Sequence, residues 1–126
     1  MPSPEEIQKV VDAYVDSYRR NDRAACIDLF HPEAVWHDPV GEPPHVGHDG
    51  IAEFWDQAHS LADQIELVPS QVLIGGNEAA MVMEIQITLG DTKMAMDAVE
   101  VFEIGEDGKI SSAKAYWDMA RARPID

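Results

Sequence analysis

Three things are scarce in this chain, and each absence narrows what it can be. There is one cysteine, Cys26, so no intrachain disulfide can form, and a reducing compartment fits best. Basic side chains are few: 9 Lys and Arg stand against 24 Asp and Glu, a formal charge of −15. Such a surface repels phosphate backbones and anionic headgroups, which argues against nucleic acid or membrane partners and for an uncharged or cationic ligand. Long apolar runs are missing: nothing approaches the length that spans a bilayer, and no basic stretch followed by an apolar one opens the chain. Neither a membrane anchor nor a secretory signal is expected, and the cytoplasm is the default location. Also absent are a glycine-rich phosphate loop and a nucleophile elbow. The 5 histidines (His31, His37, His45, His48 and His59) include no i, i+4 pair and have no cysteine cluster beside them, so no metal site is expected.

What is present describes one globular domain spanning residues 1–126. Ser3-Pro4-Glu5-Glu6 is a capping-box start, and Ile7, Val10, Val11, Tyr14, Val15 and Tyr18 then recur on one helical face. Tyr14 is central in that stripe, so its ring should face inward and its hydroxyl needs a partner. Asp22 caps a short second helix to about Phe30, ended by His31-Pro32. Cys26 falls among Ala24, Ala25 and Ile27 and reads as a buried, inert thiol. Residues 34–38 read as a short strand, residues 41–47 as a proline-rich loop, and residues 49–62 as a third helix carrying Ile51, Phe54, Trp55, Ala58 and Leu61 on one face. The second half alternates instead. Extended segments at 65–74, 79–89, 93–104 and 109–120 are punctuated by Gly75-Gly76-Asn77, Gly90-Asp91 and Gly105-Glu106-Asp107-Gly108. Three helices followed by a four-strand meander predict an α+β domain with a curved antiparallel sheet.

Two acids stand out. Asp38 ends an apolar strand where Pro39 and Gly41 open a loop, a place suited to an ordinary turn residue or to a carboxylate at a pocket mouth. Glu100 shares its strand face with Met94, Met96, Ala98, Phe102 and Ile104, while Lys93, Asp97 and Glu103 take the other face. A carboxyl in an apolar register must pair with a cation, reach solvent or stay protonated; a bulge that turned it outward is the alternative. No Lys or Arg shares its face of that strand. On the last segment Ala113, Ala115, Trp117 and Met119 alternate small with large, which suits core packing or a flat apolar ligand.

Taken together, Ala13-Tyr14-Val15, His37-Asp38-Pro39-Val40-Gly41-Glu42-Pro43-Pro44, Met96-Asp97-Ala98-Val99-Glu100-Val101-Phe102 and Ala115-Tyr116-Trp117 resemble the bacterial ketosteroid isomerases, in the NTF2-like/SnoaL-like superfamily. The resemblance covers nearly the whole chain. It implies a cone-shaped α+β barrel and a cofactor-free reaction that moves a C=C bond into conjugation with a ketone through a dienolate. Asp38 would be the proton-shuttling general base, with Tyr14 and a protonated Glu100 as oxyanion donors. This family is itself the standard example of a carboxylic acid held neutral by its apolar site. Phe54, Trp55, Met83, Phe102 and Trp117, joined by Met81 and Met119, would supply the apolar walls around a small apolar ketone or steroid. Relatives pair through the outer face of the sheet, so a homodimer is expected, with Lys93, Ala95, Val99 and Val101 on the paired face. Three positions depart from the pattern: Glu100 replaces an aspartate, and Phe30 and Trp55 stand where well-studied relatives carry tyrosines that support the phenol. Phe cannot hydrogen-bond and indole only donates. A SnoaL-like polyketide cyclase or related lyase is the alternative within the fold, and a non-catalytic small-ligand-binding module the alternative outside catalysis. Hydrolase relatives use an Asp-Arg-Asp arrangement, and here every arginine lies at 19–23 or 121–123.

Overall fold

The computed structural model describes residues 1–126, and it begins as the N-terminal residues dictate. The Glu6 amide donates to Ser3 Oγ at 3.2 Å and the Ser3 amide to Glu6 Oε1 at 3.1 Å, completing the capping box of α1 (Pro4–Arg19). Asp22 then caps α2 (Arg23–Asp28) through the Ala25 amide. That helix stops short of Phe30 because the Leu29 carbonyl is taken by the Ile110 amide at 2.8 Å. The chain is captured by a strand, and β1 (Phe30–His37) starts four residues earlier than alternation alone suggests. Pro32 hid that start. It has no N–H to donate, and the pairing of β1 with the last long strand jumps from Phe30 to Val35.

The remaining elements are β2 (His45–Val46), α3 (Gly47–Ser60), β3 (Gln64–Gly75), β4 (Glu78–Leu89), β5 (Thr92–Ile104), β6 (Ile110–Tyr116) and β7 (Arg123–Pro124). Gly76 at φ +57° and Gly90 at φ +59° make the two hairpin corners expected of them. The last strand is shorter than expected. Asp118 accepts from the Ala120 amide and caps a 3₁₀ turn (Met119–Arg121), after which β7 pairs with β5 at Met94 and Ala95.

The β3–β4–β5–β6 meander is antiparallel, as its turns require, but β1 joins β6 in parallel, giving the order β2-β1-β6-β5-β4-β3. The sheet is curved and does not close on itself. α1 lies against β3 and β4, α3 against β1, and together they cover the concave face. No helix is long and apolar enough to cross a membrane.

The concave side divides along its length, and the division positions the site. On β4 and β5, Ala79, Met81, Phe102 and Ile104 are fully enclosed, whereas Met83, Ile85, Met94 and Met96 border a cavity of about 510 Å³. Helix α1 shows the same gradient: Ile7 and Val11 are core, Tyr14 and Tyr18 cavity wall. So does β6, with Ala113 in the core and Ala115 on the wall. Glu100 sits at the changeover, opposite Met81 in register, on the floor of the cavity.

Candidate active site

Asp38 follows the last residue of β1. The pairing of His37 with Lys114 holds the segment before it. The segment after it is tied down by the Val40 amide, which donates to the Ala115 carbonyl at 2.8 Å. Between these anchors its carboxyl turns into the cavity, 9% exposed, and accepts the Trp117 indole N–H at 2.6 Å. Burial pushes the Asp38 carboxyl up to about 7, and the Trp117 bond opposes that rise.

Glu100 is 1% exposed, and the pairing of β5 with β4 runs unbroken past it, so no bulge there turns it outward. Its Oε2 accepts the Tyr14 hydroxyl at 3.2 Å and the Trp36 indole N–H at 3.1 Å. Burial holds this carboxyl well above the usual range, and the charge of Asp38 pushes it further up. No cation offsets either acid: none of the 21 residues lining the cavity is Lys, Arg or His. Burial likewise raises the Tyr14 and Tyr18 phenols, which stay protonated at neutral pH. The cavity thus presents one carboxyl that can ionise near neutrality, beside an acid and a phenol that keep their protons. Such a set can take a proton from carbon while stabilising the oxyanion that forms.

Phe54, Met83, Trp117 and Met119 border the cavity. Three residues expected on its wall stand behind it. Phe102 packs edge-on against Tyr14 with ring centroids 5.0 Å apart, Met81 is sealed in the core, and Trp55 lies under Tyr18 at 4.8 Å while stacking on His59 at 3.9 Å. Ring edges also pack around Tyr14: Phe30 and Trp36 each stand 6.3 Å from it, and Tyr18 5.3 Å. Cys26 is fully buried and its thiol is pushed up to about 12 by burial, the inert state expected of it. No group of three His, Cys, Asp or Glu side chains is placed to hold a metal ion.

Residue-level reasoning missed two participants. Tyr18 borders the cavity one helical turn from Tyr14, a position its spacing in the apolar stripe already implied. Trp36 bonds Glu100 across 64 residues of sequence, and no local signal carries that contact.

Comparison with known proteins agrees with this architecture. The model of the SnoaL-like domain matches residues 11–113. The chain is 28% identical over 112 residues to a Steroid Delta-isomerase of Nocardioides simplex, covering 89% of each. Among solved structures, the epoxide hydrolase/cyclase-like enzyme SalBIII, described for its role in pyran ring formation in the polyether salinomycin, superposes with a TM-score of 0.89 at 22% identity, covering 99% of this chain and all of that one. RV0760c from Mycobacterium tuberculosis superposes with a TM-score of 0.87 at 13% identity, again over 99% of this chain and 100% of the other. At these identities the two superpositions speak to the fold alone.

Proposed function

The chain belongs to the SnoaL-like domain family, and on that premise we propose that it is a cofactor-free isomerase moving a C=C bond into conjugation with a ketone, its substrate a Δ5-3-ketosteroid or a similar flat, uncharged ketone. One observation carries the reading: an ionisable acid, Asp38, shares an apolar cavity with Tyr14 and Glu100, two groups that keep their protons and meet through Glu100 Oε2 at 3.2 Å.

The chemistry balances without an oxidant or a cofactor. Asp38 removes a proton from the carbon between the carbonyl and the double bond. The C–H electron pair becomes a new C=C, and the carbonyl π pair moves onto oxygen. Tyr14 and Glu100 donate to that oxygen as charge develops. Asp38 then returns the proton two carbons away, and the C=O reforms beside the shifted double bond. The apolar walls exclude water, so both hydrogen bonds act at low dielectric. Chemical kind supports a neutral ligand, since the wall offers no cation to an anion. The same absence of arginine sets the cavity apart from the Asp-Arg-Asp arrangement of hydrolase relatives.

The test is direct: incubate the protein with a Δ5-3-ketosteroid and follow the absorbance of the conjugated enone. Asp38→Asn should lower kcat by at least ~10²-fold and Tyr14→Phe by ~10²–10³-fold. Glu100→Gln, which can still donate, should be milder than Glu100→Ala. Turnover indistinguishable from the Asp38→Asn background would sink the isomerase reading, and tight binding of a phenolic steroid without turnover would favour a binding module.

Pairing of two copies through the outer sheet face belongs to the same proposal. Val82, Val99 and Tyr116 follow one another across β4, β5 and β6 in register, and Tyr116 is 48% exposed. Ala95, expected on that face, is already buried at its register position opposite Arg123 of β7.

A further inference from the structure

The two oxygens of Glu100 are not equivalent. Oε2 takes both protein donors, the Tyr14 hydroxyl and the Trp36 indole, while Oε1 has no protein partner and is not sealed within the protein, on a residue that borders the cavity. We propose that Trp36 is a positioning residue for Glu100: by donating permanently to Oε2 it makes that atom the carbonyl oxygen of the acid and places the acidic proton on Oε1, aimed at the ligand.

The argument starts from donor chemistry. Indole N–H donates and never accepts, so whichever carboxyl oxygen it touches must act as acceptor. In a protonated carboxyl the better acceptor is the carbonyl oxygen, and the hydroxyl is left on the other atom. Trp36 cannot turn away from this duty. It is fully buried, pinned by Phe54 at 4.9 Å and Phe30 at 5.1 Å between ring centroids, and its N–H has no other partner. An orphaned buried N–H carries its full desolvation cost, so the contact persists.

Tyr14 is different, because its hydroxyl rotates. In the isomerase reading, on which this inference rests for its catalytic consequence, Tyr14 gives its proton to the ligand oxygen when substrate binds. Oε2 then keeps one donor, and it is Trp36. Without that donor the acid would be free to turn its proton away from the ligand. The need is greater for Glu than for Asp, since one more rotatable bond has to be held. Trp36 and Glu100 therefore act as a matched pair: the longer acid reaches across the floor, and the indole fixes the end of its reach. The other ionisable groups bordering the floor, Asp38, Tyr14 and Tyr18, supply no competing donor to Oε2 beyond the Tyr14 hydroxyl already counted.

The test reads the acid itself and needs no substrate. In the infrared spectrum of the full chain at neutral pH, the carboxylic acid C=O band lost in Glu100→Gln identifies Glu100. In Trp36→Phe this band should move to higher frequency, because the carbonyl loses a hydrogen bond. An unmoved band overturns the proposal. A second measurement leaves Trp36 in place in case the variant does not fold: the indole N–H proton resonance of Trp36 should shift in Glu100→Ala, and an unchanged resonance also overturns it. Where turnover is measurable, Trp36→Phe should lower kcat about tenfold with KM within twofold, and that loss should vanish on a Glu100→Ala background. A tenfold loss that persists there means Trp36 acts through Asp38 instead, which overturns the pairing. Absence of turnover with a shifted band would fail the isomerase reading and leave the Trp36–Glu100 link standing.

Discussion

At the scale of single residues, the candidate site holds two buried acids to which the proposed reaction gives opposite duties. Asp38 must ionise to act as base, and burial holds it at about 7, so kcat/KM should rise with pH through about 7 and level off above it. The Trp117 indole opposes that rise. Trp117→Phe should therefore move the midpoint to higher pH, and a pH–rate profile of the two proteins measures the shift. Stability runs the other way. Unfolded, Asp38 has its ordinary value of 3.8; folded, it holds its proton to about 7. Between those values the folded state binds a proton that the unfolded chain has released, so stability falls as pH rises through that window and the loss is complete above about 7. Asp38→Asn removes the penalty. It should raise unfolding free energy at pH 8 by about 2–4 kcal/mol and have little effect at pH 4, as denaturant melts at the two values would show. The proposed base is thus predicted to weaken the fold it serves.

At the scale of elements, β5 carries the site because one strand face continues past the core. Alternation placed Glu100 inward between Ala98 and Phe102, and it is inward. What alternation could not tell is where "inward" changes from packed core to cavity wall. Phe102 lies on one side of that line and Met96 on the other. The difference is measurable. Phe102→Ala should cost about 3–5 kcal/mol of stability, since it leaves a void beneath Tyr14. Phe54→Ala, on a wall that already faces a cavity, should cost clearly less stability but weaken binding of a phenolic steroid. Thermal unfolding and ligand titration of both variants separate the two roles. Helix α1 follows the same rule: its periodicity marked Tyr14 and Tyr18 as inward, yet only their place past Val11 makes them cavity-facing.

At the scale of the molecule, the charge of −15 and the cationless cavity disfavour an anionic ligand, and the apolar lining suits the neutral ketone proposed above. Leu61, Leu89 and Met119 border the cavity while remaining exposed, so its mouth is apolar too. Two copies are expected to pair through the row Val82–Val99–Tyr116. Light scattering should give twice the monomer mass of 14.0 kDa, and Val99→Lys should return it to the monomer value. A monomer in the unaltered protein would refute the pairing.

Read alone, the sequence determined a great deal. Caps, turn glycines and the switch from helical to alternating periodicity located three helices and the meander within a few residues, because those signals are local. Alternation also turned Glu100 and Tyr14 inward, and the resemblance assigned both of them, with Asp38, to one constellation. Only the tertiary structure decided the rest. The parallel pairing of β1 with β6, begun across Pro32, depends on which strand lies alongside, and no stretch of β1 names its neighbour. The exclusion of Trp55 and Phe102 from the wall depends on how far the helices and sheet splay apart. The hold of Trp36 on Glu100 and of Trp117 on Asp38 depends on contacts made across 64 and 79 residues of chain. A hydrogen bond needs two atoms within about 3 Å, and that proximity is a property of the folded chain rather than of either segment.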